Sequence, residues 1–232
     1  MNVLITRPEP QATLTHDKLV LAGFTVISEP CQIVKPTETV LQAADAYIIT
    51  SQNGVDHGLK HIADKDAVIF AVGDKTAQAA EDLGFNIIFS ADGDSQSLVE
   101  VVLSRWEPDY GTLLHLSGAE ISTDISALLS AIGYKAERQV VYEAVMLENP
   151  SKATITAINN KELDTVLFYS AQAVTIFNQW MEQAGLEGAL ETMQAIVMSD
   201  RIAEHLGNQW KSIKIAKSKR EDDLIKLLNE GT

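Results

Sequence analysis

Six short stretches of this sequence close an apolar run with small polar residues and then open a helical pattern. They are "TRPEPQ" from Thr6, "TSQNGV" from Thr50, "GDKTA" from Gly73, "SGAE" from Ser117, "YSAQAV" from Tyr169 and "SDRIA" from Ser199. The start of a helix leaves several N–H groups unpaired and carries a partial positive charge, so such places favour anions. Six of them could hold a polyanion largely through backbone donors. The candidate binding residues are therefore Ser51, Gln52, Asn53, Gly73, Thr76, Ser117, Gly118, Ser170, Ala171, Gln172 and Ser199, with Arg7, Lys75 and Arg201 as scattered cations. Each Ser or Thr could equally be a plain helix cap. Their recurrence in both halves of the chain favours a site, although a duplication also copies structural caps.

Better-known chemistries fit poorly. "AVGDKTA" offers one glycine, Gly73, where a dinucleotide fingerprint wants three, and no phosphate-cradling G-x-x-x-x-G-K-[ST] occurs. His57 and His61 stand four apart and would share one helix face, but no HExxH or supporting acid accompanies them, so no metal is expected. "HLSGAE" lacks the G-x-S-x-G elbow of a serine hydrolase. A pair of phosphorelay receivers needs acids before the first helix, and here that place holds Arg7-Pro8.

The elements that must position these residues occur twice. A shift of 110 lays "VLITRPEP" on "LLHLSGAE" and Gly23-Phe24 on Gly133-Tyr134; a shift of 119 lays "DAYIITSQNGV" on "DTVLFYSAQAV". A shift of 126 lays "FAVGDKTA" on "VMSDRIA", then Leu98, Val101 and Val102 on Leu224, Leu227 and Leu228. Three matches in order imply a tandem duplication of about residues 1–110 and 111–232. Runs such as "VLITR", "YIITS", "VIFAV" and "NIIFS" are apolar on both faces, as buried parallel strands require. Ile125, Leu128, Leu129 and Ile132 make a one-sided helical stripe closed by Gly133, and Ser97 and Asp223 are the expected caps of the closing helices. Alternating strands and helices predict an α/β fold of two small doubly wound, flavodoxin-like parallel-sheet domains.

Two segments, "EPCQIVKP" and "RQVVYEAVML", read as extended chain and can pair as a two-stranded antiparallel ribbon. The expected layout is then a discontinuous domain of residues 1–32 plus 147–232, an inserted domain of 37–138, and crossing strands at 33–36 and 139–146; two contiguous halves are equally compatible with the repeat. Tyr142 lies on the second crossing segment, where it would look into an interdomain cleft. It is a candidate catalytic group, because a phenol can donate or accept a proton, against the plainer reading of a cross-strand packing residue.

Composition narrows the setting. The chain has 232 residues, 46% of them hydrophobic, and a net charge of −14, which argues against nucleic acid as a partner. Its apolar runs are too short to span a membrane, and the opening "MNVLITRPEP" is no signal peptide. Cys31 is the single cysteine, so a reducing cytoplasm is the simplest home.

Taken in order, "VLITRPEPQA", "TSQNGV", "FAVGDKTA", "VVYEAV" and "VMSDRIAEHLG" resemble the motifs of the uroporphyrinogen-III synthase family over nearly the whole chain. The resemblance implies two α/β domains joined by a ribbon, with the discontinuous layout. It implies cyclisation of the linear tetrapyrrole hydroxymethylbilane, with loss of water and inversion of ring D through a spiro intermediate. It also implies no cofactor or metal, Tyr142 assisting departure of the ring A hydroxyl, and helix ends holding the substrate's acetate and propionate groups. A flexible monomer is expected. Two positions depart from the family: Ser117-Gly118 stands where many relatives have Arg-Gly, and Ile202 where some have threonine. A non-catalytic module closing over a small acidic ligand is the alternative, and Tyr142 discriminates between them.

Overall fold

The computed structural model describes residues 1–218 and 220–229. Its strands are β1 (Asn2–Ile5), β2 (Thr25–Ser28), β3 (Gln32–Pro36), β4 (Ala46–Ile49), β5 (Val68–Val72), β6 (Ile87–Ala91), β7 (Thr112–Gly118), β8 (Lys135–Met146), β9 (Thr165–Phe168), β10 (Gln194–Val197) and β11 (Ser212–Ile215). Its helices are α1 (Gln11–Leu21), α2 (Gln52–His57), α3 (Asp74–Asp82), α4 (Ser95–Arg105), α5 (Ile125–Ala131), α6 (Lys152–Asn159), α7 (Ala171–Ala184), α8 (Asp200–Ala203) and α9 (Glu221–Asn229). Two compact units result: one of Met1–Ile33 with Val145–Thr232, the other of Val34–Ala144.

The first unit holds a five-stranded parallel sheet in the order β2-β1-β9-β10-β11. The second holds β8-β7-β4-β5-β6, also parallel, with β3 added beside β8. The added strand runs antiparallel to β8: Thr37 N–H donates to the Val141 carbonyl and Leu147 N–H to that of Cys31. Under the sequence repeat, β1 and β2 correspond to β7 and β8, and β4, β5 and β6 to β9, β10 and β11. Both sheets therefore have the same strand order, and each takes two strands from one copy and three from the other.

Neighbouring strand residues feed opposite cores, which is why the strands are apolar on both faces. In the first unit Val3 and Ile5 join Leu167, Ile196 and α9's Leu224 on one face, while Leu4 joins Phe168, Phe177, Trp180 and Trp210 on the other. In the second unit Tyr47 and Ile49 pack with Leu116 and Val55, and Ala46 and Ile48 with Phe70, Trp106 and Leu129. All three tryptophans are core residues.

Three local expectations need correction. The cap of α4 is Asp94, whose carboxylate accepts from Ser97 N–H at 2.9 Å, so Ser97 lies inside the first turn. Asp223 likewise lies inside the first turn of α9, with Glu221 and Asp222. On α5 only Ile125 and Leu129 of the expected stripe are buried; Leu128 and Ile132 face outward because the helix has neighbours on one narrow side. Gly133 does adopt the expected left-handed conformation after it, at φ +96°.

His115, at mid-β7, is 1 % exposed; its Nε2 stands 3.4 Å from Thr50 Oγ1 and its Nδ1 has no partner among the described residues. Burial pushes its pKa down from 6.5 to about 4. Between those values the unfolded chain binds a proton that the folded chain does not, so the stabilisation is complete above pH 6.5 and is lost as pH falls toward 4. The loss is on the order of 3 kcal/mol. His115→Gln should flatten the fall in unfolding free energy between pH 7.5 and 4.5; an unchanged slope in denaturant titrations would contradict this assignment.

Candidate active site

β4 and β7 are adjacent, and the chain leaves them toward opposite faces and opposite edges of the sheet. At such a switch point the loops separate and leave a crevice beyond the strand ends. Ser51 follows β4, and Gly118 ends β7. β8 supplies Tyr142 to the same place through an irregular register. Ser117 faces Val140 while Gly118 faces Tyr142, so Val141 is an extra residue on that strand. A bulge of this kind re-aims the side chain that follows it.

Tyr142 is seated by two residues. Its hydroxyl lies 3.0 Å from Ser51 Oγ, which itself accepts from Gly54 N–H as the cap of α2. Its ring lies directly over Gly118: a Cβ there would stand 2.6 Å from Cε2 and 2.7 Å from Cζ. Gly118 is thus required for space rather than for its φ. Beside this seat opens a cavity of about 340 Å³, lined by Tyr142, Thr50, Val72, Gly93, Asp94, Ser95 and the run Glu120–Thr123. Asp94 is spent on α4: the Ser97 hydroxyl and N–H hold its carboxyl below the usual range.

The remaining candidates of this unit take different parts. Ser117 is 1 % exposed; it donates to the Gly118 carbonyl and accepts from Arg138 Nε at 2.8 Å. Arg138 Nη2 donates to the carbonyls of Gly118 and Ala119 at 2.6 and 2.7 Å. Gly73 has φ +78°, with open space around it, so here the backbone angle demands glycine. Lys75 is exposed in the first turn of α3, and Thr76 beside it is buried. Gln52 donates to Asp56 one turn on, and Asn53 is half-buried on α2.

In the first unit the equivalent switch point lies between β1 and β9. Ser170, Ala171, Ser199 and Arg201 line a cavity of about 400 Å³ with Tyr169, Met198 and Ile202. Ser170 caps α7, whereas Ser199 makes no side-chain cap bond. Gln172 points elsewhere, to Met146 Sδ at 3.5 Å. Arg7 lies over the Tyr169 ring at 4.3 Å and donates to Glu221 Oε1 at 2.7 Å and to Thr15. Thr15 and Lys18 also donate to Glu221. Burial pushes the Glu221 carboxyl up, but these donors and the charges of Lys18 and Arg7 hold it below its ordinary value.

Sequence reasoning missed Arg138, Asp94, Thr50 and the Arg7–Glu221 pair, none of which has a local signature. It also placed His57 and His61 on one helix; α2 ends at His57, Gly58 intervenes, and His61 belongs to a separate 3-10 turn (Leu59–His61). Among the described residues no group of three or more His, Cys, Asp or Glu could hold a metal ion, and no helix is long and apolar enough to cross a membrane.

The model of one protein family, described as uroporphyrinogen-III synthase HemD, matches residues 15–226. Similar solved structures include the uroporphyrinogen-III synthetase of Helicobacter pylori 26695, at a TM-score of 0.60 and 18% identity, covering 99% of this chain and 98% of that one. A mutant uroporphyrinogen III synthase of the extremely thermophilic bacterium Thermus thermophilus is 19% identical, with a TM-score of 0.49 over 99% and 98% of the chains. At 18% identity the Helicobacter structure speaks to the fold alone. No curated protein sequence matches.

The seat of Tyr142 can be tested by a double-mutant cycle. Gly118→Ala should cost on the order of 1–3 kcal/mol by driving the ring from its place. The same change made in a Tyr142→Ala background should cost much less. Equal costs in the two backgrounds, measured by denaturant unfolding, would show that the ring is not what Gly118 accommodates.

Proposed function

This chain belongs to the uroporphyrinogen-III synthase family, and on that premise we propose how its own residues carry out the reaction. The protein is a hydro-lyase of tetrapyrrole and heme biosynthesis: it cyclises hydroxymethylbilane with loss of water and inversion of ring D through a spiro intermediate. The observation that carries the residue assignment is the Tyr142 hydroxyl, 3.0 Å from Ser51 Oγ beside the cavity at the strand ends.

Ser51 Oγ already accepts from Gly54 N–H, so its own proton is free to point at the Tyr142 oxygen. The phenolic proton is then left for the ring A hydroxyl of the substrate. As the C–O bond breaks, Tyr142 gives that proton and water departs, leaving an azafulvene cation. The substituted carbon of ring D attacks the cation to give the spiro intermediate, which reopens and recloses with ring D inverted. The proton released on rearomatisation restores the phenol. Positioning decides the isomer, because the free bilane cyclises unaided without inversion.

The acetates and propionates would be held at the rim of each unit. Ser170, Ala171, Ser199 and Arg201 serve in one, and Gln52, Asn53, Gly73, Lys75 and Thr76 in the other. Arg7 serves while paired with Glu221, and Ser117 and Gly118 serve by placing Arg138 and Tyr142. The protein works as a cytoplasmic monomer without nucleic-acid partners, a reading supported by its net charge of −14 and its buried free Cys31. A non-catalytic binding module would leave the seated phenol without a task.

Tyr142→Phe keeps the ring on Gly118 and removes the proton, so kcat should fall about 10²-fold with KM little changed. Ser51→Ala should fall less. Both are read as isomer III formed per second from bilane generated in situ; a Tyr142→Phe rate within threefold of wild type would remove Tyr142 from the chemistry.

A further inference from the structure

The two units can be compared residue by residue through the repeat. A shift of 110 sets Arg7 on Ser117, and a shift of 126 sets Ser95 on Glu221. In the first unit, then, a guanidinium at the exit of the first strand meets a carboxylate from the start of the closing helix, at 2.7 Å. In the second unit the strand exit carries Ser117, yet a guanidinium is still there. It comes from Arg138, and Ser117 Oγ accepts from it at 2.8 Å.

The carboxylate has no counterpart. Ser95 is short and lines the 340 Å³ cavity instead, beside Tyr142. Arg138 is half-buried, its Nε and Nη2 are tied to Ser117 Oγ and to the Gly118 and Ala119 carbonyls, and among the described residues it makes no ion pair. No acceptor is found for Nη1 there either. Asp124, close enough to feel the charge, is occupied by Ser126 Oγ at 2.5 Å and by Ala127 N–H. Glu120, next to Ala119, is exposed on the cavity wall and makes no bond to Arg138. A fixed, partly desolvated guanidinium held only by neutral acceptors is electrostatically incomplete. It stands out in a unit where residues 34–144 carry seven Lys and Arg against seventeen Asp and Glu.

We propose that Arg138 is a substrate-binding residue, taking one carboxylate of the tetrapyrrole at the place that Glu221 fills opposite Arg7 in the first unit. This rests on the synthase reading above. The bonds of Nε and Nη2 fix the guanidinium beside the turn of residues 117–119, which leads into the cavity wall at Glu120, and leave Nη1 to donate to a carboxylate bound there.

Two assays test it. In the coupled reaction, Arg138→Gln should raise KM about tenfold, equivalent to about 1.4 kcal/mol, with kcat within twofold; Arg138→Lys, which keeps the charge without the fork, should fall between. Uroporphyrin III, the oxidised product bearing the same carboxylates, should quench tryptophan fluorescence with a Kd raised to a similar extent in Arg138→Gln. If that variant does not fold, Ser95→Glu serves: it recreates the partner present in the first unit and should raise KM comparably. A folded Arg138→Gln with unchanged KM and Kd overturns the proposal. So does a fall in kcat alone, which would make Arg138 merely a clamp on the 117–119 turn, and so does a Ser95→Glu variant with wild-type KM. Failure of the wild-type protein to form isomer III would instead count against the synthase reading, since the uroporphyrin measurement needs no turnover.

Discussion

Everything that matters here follows from pairing strands in parallel. Parallel strands must bury both faces, so each connection between parallel neighbours returns over a helix and those strands end on the same rim. In each unit the residues leaving the strands then share one edge with the starts of the helices. A chain with net charge −14 can therefore offer local donors to a polyanion without a basic groove. The strand order concentrates this effect where neighbouring connections diverge: beyond β4 and β7 in one unit, and beyond β1 and β9 in the other.

The site at the first of these places is built from absences as much as from groups. Gly118 contributes no side chain, and that vacancy is the seat of the Tyr142 ring. Val141 is one residue too many for the ladder, and that surplus turns Tyr142 toward Ser51. A phenol held at ring and hydroxyl loses little freedom when a substrate arrives, which is the preorganisation an acid needs. At the other switch point Arg7 is paired with Glu221 and lies over the Tyr169 ring, so the two copies of one plan have drifted apart in chemistry while keeping one topology.

Much of this is legible in the sequence because it is local. Short runs apolar on both faces, period-3.6 stripes, glycine punctuation and the internal repeat identify the strands, helices and turns, and Tyr142 stands out by its place in an extended segment. What the sequence does not display is pairing at a distance. The repeat shows two copies but not that each sheet draws two strands from one and three from the other, since strand order is decided by which edges meet in three dimensions. The Arg7–Glu221 pair spans 214 positions and the Ser117–Arg138 bond 21, neither with a helical or strand period to betray it. Ser97 looks like a cap because serine caps helices; Asp94, three residues earlier, takes its N–H first. His57 and His61 look like one face because spacing alone cannot see the break at Gly58.

The central claim is that this scaffold fixes the course of ring closure. The direct measurement generates hydroxymethylbilane in situ, adds the purified chain, and separates uroporphyrinogen I from III by chromatography after oxidation. Isomer III, with ring D inverted, should dominate at catalytic protein concentrations. Isomer I alone from well-folded protein would contradict it and leave a module that merely binds an acidic ligand.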